Sequence, residues 1–199
     1  TGGGQPGDRG VLAWEGGETP IATTVKGDAP GGIVHVPAEG AAVPPAGARV
    51  TARLDWDTRY ARMRAHTALH LLSVVIPLPV TGGSVGEGKG RLDFDMPEPP
   101  EDKEALERRL NELAAAGHPV TTEWITDAEL AANPGLVKTM SVMPPVGQGR
   151  VRLVRIGSGD GTVDLQPCGG THLASTAEIG RVALGKIEMK REFTLADRS

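Results

Sequence analysis

Residues 64–72 read RAHTALHLL, and the rest of the chain can be understood from what this segment requires. Its apolar residues recur at helical spacing, with Leu69 and Leu72 on one stripe, so we predict a helix with one buried side. His66 and His70 are four positions apart and therefore project from one face, one turn from each other. Two imidazoles arranged in this way can reach a single metal ion.

Residues 166–172 read QPCGGTH and supply a thiol and a third imidazole in the pattern Cys-x-x-x-His. The chain has one cysteine and five histidines, and the cysteine and three of the histidines fall within these two segments. Nitrogen and sulfur donors together suit Zn²⁺. The competing interpretation, an inert buried cysteine beside core histidines, does not explain this concentration. The predicted zinc ligands are His66, His70, Cys168 and His172.

The composition indicates a folded protein rather than a disordered or membrane-spanning one. Hydrophobic residues make up 39% and charged residues 23% of the 199 residues, enough for one large domain or two small ones. No apolar run approaches the roughly 18 residues of a membrane helix. A single cysteine cannot form an internal disulfide, so we expect a reducing compartment, the cytoplasm. The net charge of −4 argues against binding of nucleic acid by bulk charge, although a local basic patch stays open.

Turn residues and hydrophobic periods predict an α+β fold in two parts. In residues 1–56, short alternating segments are separated by Gly, Pro and Asp, which favours a small β-barrel-like domain. Residues 57–199 are predicted to form the zinc-binding domain, an antiparallel sheet packed with helices. The chain opens within a glycine run and without an initiator Met, so we expect that a preceding strand is missing.

Two long helices are predicted in the second part. Asp57 or Thr58 should cap the first helix, which should run to about Ile76 before two prolines stop it. The second should span residues 101–116, with Gly117 at its end.

Two further segments carry weaker signals. Residues 82–90 contain five glycines and are predicted to be a flexible loop; they match the phosphate-binding loop pattern only up to its lysine, because Gly90 stands where a hydroxyl is needed. We therefore expect no nucleotide cofactor. Residues 178–190 are predicted to end the fold as one or two strands.

The two ligand-bearing segments resemble those of the alanyl-tRNA editing proteins, which are similar to the editing domain of alanyl-tRNA synthetase and more distantly to that of threonyl-tRNA synthetase. The resemblance extends to GRLDFD at residues 90–95, TAEIG at 176–180 and TGGGQPGD at 1–8, so it covers nearly the whole chain. It implies a second additional domain of the threonyl/alanyl-tRNA synthetase type, preceded by a barrel.

The resemblance also implies a reaction and its participants. The reaction is hydrolysis of the ester in tRNA-Ala mischarged with serine, with glycine as a second candidate, and the partner is the acceptor end of that tRNA. The four ligands would hold zinc. Gln5 would match a glutamine of the editing pocket, and Thr1 a hydroxyl that helps to sense the wrong amino acid.

Reasoning from the residues alone leaves several roles open. Four protein ligands close a tetrahedral zinc site, and closed sites are usually structural, so the zinc either takes part in hydrolysis or only organises the pocket. Thr67 is either a pocket hydroxyl or a helix residue bonded to the preceding turn. Asp164 is either the carboxylate that orients a ligand imidazole or a turn aspartate. Gln5, without the resemblance, is a turn residue.

Two other classes of function compete with editing. One is a non-catalytic zinc-binding domain that interacts with tRNA or protein, and the other is a metal hydrolase of unrelated substrate. A metalloprotease is disfavoured because no glutamate base stands between the two histidines of the helix. A free-standing enzyme is favoured over a synthetase fragment because no nucleotide-binding motif is found. The cations proposed to hold acceptor-end phosphates are Lys89, Arg91, Arg150, Arg152, Arg155 and Lys186.

Overall fold

A computed structural model describes residues 4–29, 31–139 and 149–187 of the chain. Within these residues the α+β prediction is confirmed: three antiparallel sheets are combined with few helices. The strands are β1 Gly10–Trp14, β2 Gly17–Lys26, β3 Ile33–Pro37, β4 Thr51–Leu54, β5 Val80–Val85, β6 Gly90–Phe94, β7 Val120–Thr126, β8 Arg150–Ile156 and β9 Asp164–Pro167. The helices are α1 Trp56–Val75, α2 Lys103–Ala115 and α3 Asp127–Ala132, with short 3₁₀ turns at Pro134–Leu136, Gly159–Gly161 and Thr176–Ile179.

The first four strands form an antiparallel sheet in the order β3-β2-β1-β4. The predicted barrel is not confirmed, because among the described residues no pairing joins the two edge strands β3 and β4. The connection between these edges, residues 38–50, contains two prolines, which cannot donate to a strand ladder. Strand β4 is also only four residues long and exposed along its length. The sheet therefore stays open.

Helix α1 begins two or three residues earlier than predicted because its cap is Asp55 rather than Asp57 or Thr58. A carboxylate oxygen of Asp55 accepts the backbone N–H of Thr58 at 3.1 Å, which satisfies one of the unpaired donors of the first turn. Asp57 instead contributes a negative charge within that turn, where the helix dipole favours it. The helix ends at Val75, two residues before Pro77.

The main core lies between α1, α2 and the sheet β7-β8-β9. Its buried residues include Leu71 from α1, Leu110 and Leu113 from α2, and Ile156 from β8. A second, smaller cluster lies on the other side of α1, where Ala65, Leu69 and Val85 bring the β5-β6 hairpin against the helix. Helix α1 is therefore packed from two sides, which fixes the direction of its remaining side chains.

The prediction of a flexible loop at residues 82–90 is wrong for its first half, which belongs to β5 and pairs with β6. The glycines here permit close packing rather than motion. A Cβ on Gly83 would lie 2.8 Å from the carbonyl oxygen of Arg91, and one on Gly90 would lie 2.8 Å from a methyl carbon of Leu69. Side chains would push the hairpin away from its partner strand and from α1.

The prediction of strands at residues 178–190 is also wrong within the described part of that range. After the 3₁₀ turn the chain runs to residue 187 without regular structure, and residues 188–190 lie outside the described residues. Asn111 of α2 replaces a neighbouring strand here: its side chain accepts the backbone N–H of Val182 at 2.9 Å and donates to the carbonyl of Val182 at 2.8 Å.

A short glycine-rich segment, residues 4–8, connects the first sheet to the second part of the chain. The carbonyl of Gly4 accepts from Val85 N–H at 3.2 Å, and the carbonyl of Gly7 accepts from the guanidinium of Arg62 at 2.9 Å. These bonds hold the segment between β5 and α1. The division into residues 1–56 and 57–199 stays a prediction, since this segment contacts both parts.

None of the helices in the described ranges combines the length and the apolar character that crossing a membrane requires.

Candidate metal centre

The four predicted ligand side chains meet at one point between α1 and the loop after β9. One donor atom from each of His66, His70, Cys168 and His172 lies within 4.8 Å of the other three. The sulfur of Cys168 is 3.4 Å from Nε2 of His66 and 3.4 Å from Nε2 of His172. Segments about a hundred residues apart in the chain thus converge on one small volume.

These distances can be tested against the geometry of a zinc ion. Zn–S bonds of about 2.3 Å and Zn–N bonds of about 2.0 Å at tetrahedral angles place sulfur and nitrogen about 3.5 Å apart. The two sulfur–nitrogen separations of 3.4 Å agree with that value. The chemistry of the donor set and the two sulfur–nitrogen separations fit zinc, and all four donor atoms lie within 4.8 Å of one another.

The three imidazoles share one orientation, with Nε2 toward the centre and Nδ1 toward a protein oxygen. Nδ1 of His66 lies 3.0 Å from Oε1 of Gln5, and Nδ1 of His70 lies 2.9 Å from a carboxylate oxygen of Asp164. Nδ1 of His172 lies 3.3 Å from the hydroxyl of Thr67. Oxygen partners favour a proton on Nδ1 and leave the Nε2 lone pair for a metal. This is the outer arrangement that ligating histidines usually have.

Gln5 links both halves of the centre. Its carbonyl oxygen also accepts the N–H of Thr171 at 3.1 Å, and its amide nitrogen donates to the Thr171 hydroxyl at 2.7 Å. The side chain is buried, with 6% of its surface exposed. Gln5 therefore positions a ligand imidazole and the ligand-bearing loop together.

The loop that carries Cys168 is held by backbone contacts and by one arginine. The N–H of Gly170 points to the Cys168 sulfur at 3.4 Å, while the Arg152 guanidinium donates to the carbonyls of Cys168 and Gly170, both at 2.8 Å. A Cβ on Gly170 would lie only 2.2 Å from Cε1 of His66. The glycine is needed here because the backbone passes directly against the imidazole ring.

Asp164 is enclosed within the network, with no exposed side-chain surface. One oxygen faces His70 and also accepts from Gln166 at 2.8 Å, and the other contacts the ammonium group of Lys138. A buried carboxylate is costly unless it is paired and fully hydrogen-bonded, and both conditions are met here.

The pKa values within the centre follow from these contacts. Burial raises the pKa of the Cys168 thiol, but its contacts with His172, His66 and His70 outweigh the burial and bring the pKa well below its ordinary value. Burial likewise raises the pKa of Asp164, yet the bond to His70 and the positive charges nearby lower it overall. Both groups are therefore anionic, which is the state needed for metal ligation by sulfur and for orientation of an imidazole.

Three of the four supporting residues predicted from the sequence lie against the imidazoles of the centre. Thr67, Asp164 and Gln5 each contact a different ligand imidazole, and Thr67 also accepts the N–H of Leu173 at 3.2 Å. Thr1 lies outside the described residues. Sequence reasoning did not identify the roles of Lys138 and Arg152 at the centre. The alternation of β8 places Arg152 on the face that meets the loop and could have indicated it, whereas no local pattern marks Lys138.

The cations predicted to hold phosphates have varied surroundings. The Arg152 guanidinium donates to carbonyls of the ligand loop, and Arg155 forms an ion pair with Glu123 at 2.9 Å. Arg91 is 3.1 Å from Asp93. Arg150 lies over the ring of Trp124 with 5.8 Å to its centroid, and Lys89 is exposed. Lys186 likewise interacts with another group.

Comparison with known proteins finds relatives over nearly the whole chain. A family model described as the threonyl and alanyl tRNA synthetase second additional domain matches residues 151–192. The alanine–tRNA ligase of Pyrobaculum arsenaticum is 36% identical over 197 residues, which cover 94% of this chain and 21% of the ligase. The chain thus spans about a fifth of the length of that ligase.

Two shorter relatives carry the name alanyl-tRNA editing protein. AlaX-M of Methanosarcina acetivorans is 33% identical over 210 residues, covering 98% of this chain and 84% of the relative. AlaX-L of Pyrococcus horikoshii is 31% identical over 214 residues, covering all of this chain and 49% of the relative.

Proposed function

This chain belongs to the family of alanyl-tRNA editing proteins, and from that premise we propose that it hydrolyses the ester of tRNA-Ala charged with serine, with glycine-charged tRNA-Ala as a second substrate. The observation that supports this most is the meeting of three imidazoles and a thiolate, whose donor atoms lie within 4.8 Å of one another, at a centre that is buried except at His172. An aminoacyl ester is an activated acyl group, so its hydrolysis requires mainly a positioned water and a stabilised oxyanion.

The proposed cofactor is one zinc ion held by His66, His70, Cys168 and His172. Bound there, zinc would supply Lewis-acid polarisation of the substrate. The chain's own residues fix this arrangement: Gln5, Asp164 and Thr67 each hold the outer nitrogen of one imidazole. Their proposed role is to position ligands, and for Gln5 a contact with the substrate is proposed in addition.

Access to the centre is proposed from the side of His172. His66, His70 and Cys168 expose 4%, 6% and 9% of their surfaces, whereas His172 and Thr171 are half-buried. An aminoacyl group that enters here would meet the Thr171 hydroxyl close to His172. A low exposure of the other three ligands keeps bulk water away from the reacting ester.

Discrimination is proposed to rest on a polar group that bonds the serine hydroxyl. Alanine would leave such a group unpaired, and sites of this kind reject the analogue that lacks the hydroxyl by up to about 10⁴-fold. The candidates are Gln5, whose amide nitrogen carries two N–H groups of which Thr171 accepts one, and Thr1.

Because Cys168 must stay reduced for ligation, we propose that the protein works in the cytoplasm.

The test is deacylation of Ser-tRNA-Ala, Gly-tRNA-Ala and Ala-tRNA-Ala by the purified protein, before and after metal removal by a chelator. We expect rapid loss of serine, retention of alanine, and loss of activity in the metal-free protein that zinc restores. His35→Ala, a histidine outside the centre, should behave as the wild type. Full activity in verified metal-free protein would refute the zinc proposal, and no hydrolysis of any of the three substrates would refute the reaction.

One observation favours a second function. Four protein ligands complete a tetrahedral zinc shell, which is typical of structural zinc. A non-catalytic zinc-binding domain that recognises tRNA or protein would show tight zinc, tRNA binding and no deacylation. The same assay, combined with a tRNA-binding measurement, separates the two functions.

A further inference from the structure

One face of the β7-β8-β9 sheet runs from the metal centre to an exposed tryptophan. Asp164 and Gln166 of β9 lie on this face and contact α1 through His70 and Ser73. Gln166 is opposite Val154 in the register, and two residues before Val154 comes Arg152. Side chains two residues apart in a strand share a face, so Arg152 continues the face that begins at the centre.

Trp124 is directly opposite Arg152 in the pairing of β7 with β8. Opposed residues share a face and place their Cβ atoms about 5 Å apart. The guanidinium of Arg152 itself donates to the carbonyls of Cys168 and Gly170 in the ligand loop. Trp124 therefore lies next to Arg152, and the side chain of Arg152 contacts the loop of the metal centre.

Trp124 is 56% exposed, so more than half of this residue is open to solvent. Arg150, diagonal to it on the same face, lies over its ring with 5.8 Å between the guanidinium carbon and the ring centroid. Unpaired nucleobases stack on exposed aromatic rings and on guanidinium planes, and the cation attracts the adjoining phosphates, so this pair offers both features.

We infer that Trp124 and Arg150 form a stacking platform for the unpaired 3′-terminal nucleotides of tRNA. This inference rests on the proposed function, because the aminoacyl ester sits at the 3′ end and must reach the metal centre. The nucleotides next to that ester then lie beside the ligand loop, where this face continues toward Trp124. The platform binds bases by their faces, so it accepts them irrespective of sequence and contributes affinity, while the metal centre discriminates the amino acid.

The experiment measures the affinity of deacylated tRNA-Ala, labelled at its 5′ end, by fluorescence anisotropy. The same tRNA without its unpaired 3′ nucleotides serves as the second probe. We expect Trp124→Ala to weaken binding of the intact tRNA by about tenfold, the loss typical of one stacked base, and to leave binding of the trimmed tRNA unchanged. Trp124→Phe should retain most of the affinity, and Arg150→Lys should weaken it because the charge stays but the planar group is lost.

Trp56→Ala is the matched control, because Trp56 is 55% exposed but stacks at 5.8 Å on Tyr60 at the start of α1. This variant should bind both probes like the wild type. As a second measurement on the unaltered chain, intact tRNA should quench tryptophan emission more than trimmed tRNA does, and this difference should persist in Trp56→Phe and vanish in Trp124→Phe.

The platform is refuted if Trp124→Ala binds intact tRNA as tightly as the wild type does, or loses equal affinity for both probes. It is also refuted if a folded wild-type protein shows no quenching that depends on the 3′ nucleotides. Because deacylated tRNA is used, the result is separate from catalysis. If Ser-tRNA-Ala is not hydrolysed while the Trp124 dependence is found, the proposed reaction fails and the platform stands.

Discussion

The two halves of the metal centre are built by different means. His66 and His70 stand on a long helix that is packed from two sides, so the backbone alone sets their spacing. Cys168 and His172 stand on a loop after β9 that has no regular structure of its own. The loop is instead held by the Arg152 guanidinium, by the Cys168 N–H bond to the Arg152 carbonyl at 3.1 Å, and by Gln5.

This difference shows where each half is vulnerable. The helix half is fixed in position and needs outer partners only to set the tautomer and the rotation of each ring. The loop half depends on many individually modest bonds for its position. Substitutions around the helix half should therefore alter metal affinity without altering the fold, whereas substitutions around the loop half should alter both.

The largest effect is expected from removal of a ligand. Structural zinc binding supplies about 10–16 kcal/mol in total, so one of four donors accounts for about 3 kcal/mol, a loss in zinc affinity of at least about a hundredfold. We predict such a loss for both Cys168→Ala and His70→Ala, measured by competition with a chelating dye. His35→Ala should retain wild-type affinity, and tight zinc in Cys168→Ala would show that the loop half is dispensable.

Asp164→Asn should follow, with a loss of about 10- to 100-fold in zinc affinity, the range found when outer partners of ligating histidines are changed. The substitution keeps the shape but removes the buried charge that faces His70 and Lys138. The melting temperature of the metal-free protein should change little. Asp160→Asn, at an exposed position, is the control. An unaltered affinity would mean that Asp164 does not orient the imidazole.

Gly170→Ala tests the loop half through sterics. The new methyl group would lie 2.2 Å from the His66 ring, so the loop must shift at a cost of about 2 kcal/mol. We expect zinc affinity to fall about tenfold and the melting temperature to fall by roughly 4–8 °C. Gly135→Ala is the matched control because a Cβ there has nothing within 4 Å. A stable Gly170→Ala protein with normal affinity would contradict the close approach.

The smallest effect is expected from Arg152→Met, which removes the donor to two loop carbonyls. Two hydrogen bonds at this half-buried side chain are worth about 0.5 kcal/mol each, about 1 kcal/mol together, so zinc affinity should fall about fivefold and zinc should dissociate faster into excess chelator. Arg155→Met is the control, since Arg155 is on the same strand but pairs with Glu123. Equal dissociation rates in the two variants would mean that Arg152 does not hold the loop.

The same contrast explains what could be predicted from the sequence. The clustering of His66, His70, Cys168 and His172 was predictable because a spacing of four on a helix and a lone cysteine beside two glycines are local signals. The course of α1, its stop before Pro77 and the strand β8 were predictable from periodicity and breakers. The glycines of the β5-β6 hairpin were misinterpreted because the packing of Gly83 against Arg91 and of Gly90 against Leu69 consists of tertiary contacts.

The supporting contacts were beyond reach of local patterns. Lys138 reaches Asp164 across a separation of 26 residues, and Gln5 reaches Thr171 across 166. Nothing near either residue in the chain distinguishes it from a surface lysine or a turn glutamine. Such partners are chosen by the fold, so they become visible only when the segments are brought together.

The claim on which the account depends is that the helix half and the loop half hold one metal ion between them. X-ray absorption at the zinc edge measures this directly in the purified, zinc-loaded protein. We predict one zinc per chain with one sulfur at about 2.3 Å and three nitrogens at about 2.0–2.1 Å. A zinc shell without sulfur, or a protein that retains no zinc although it is folded, would contradict the account.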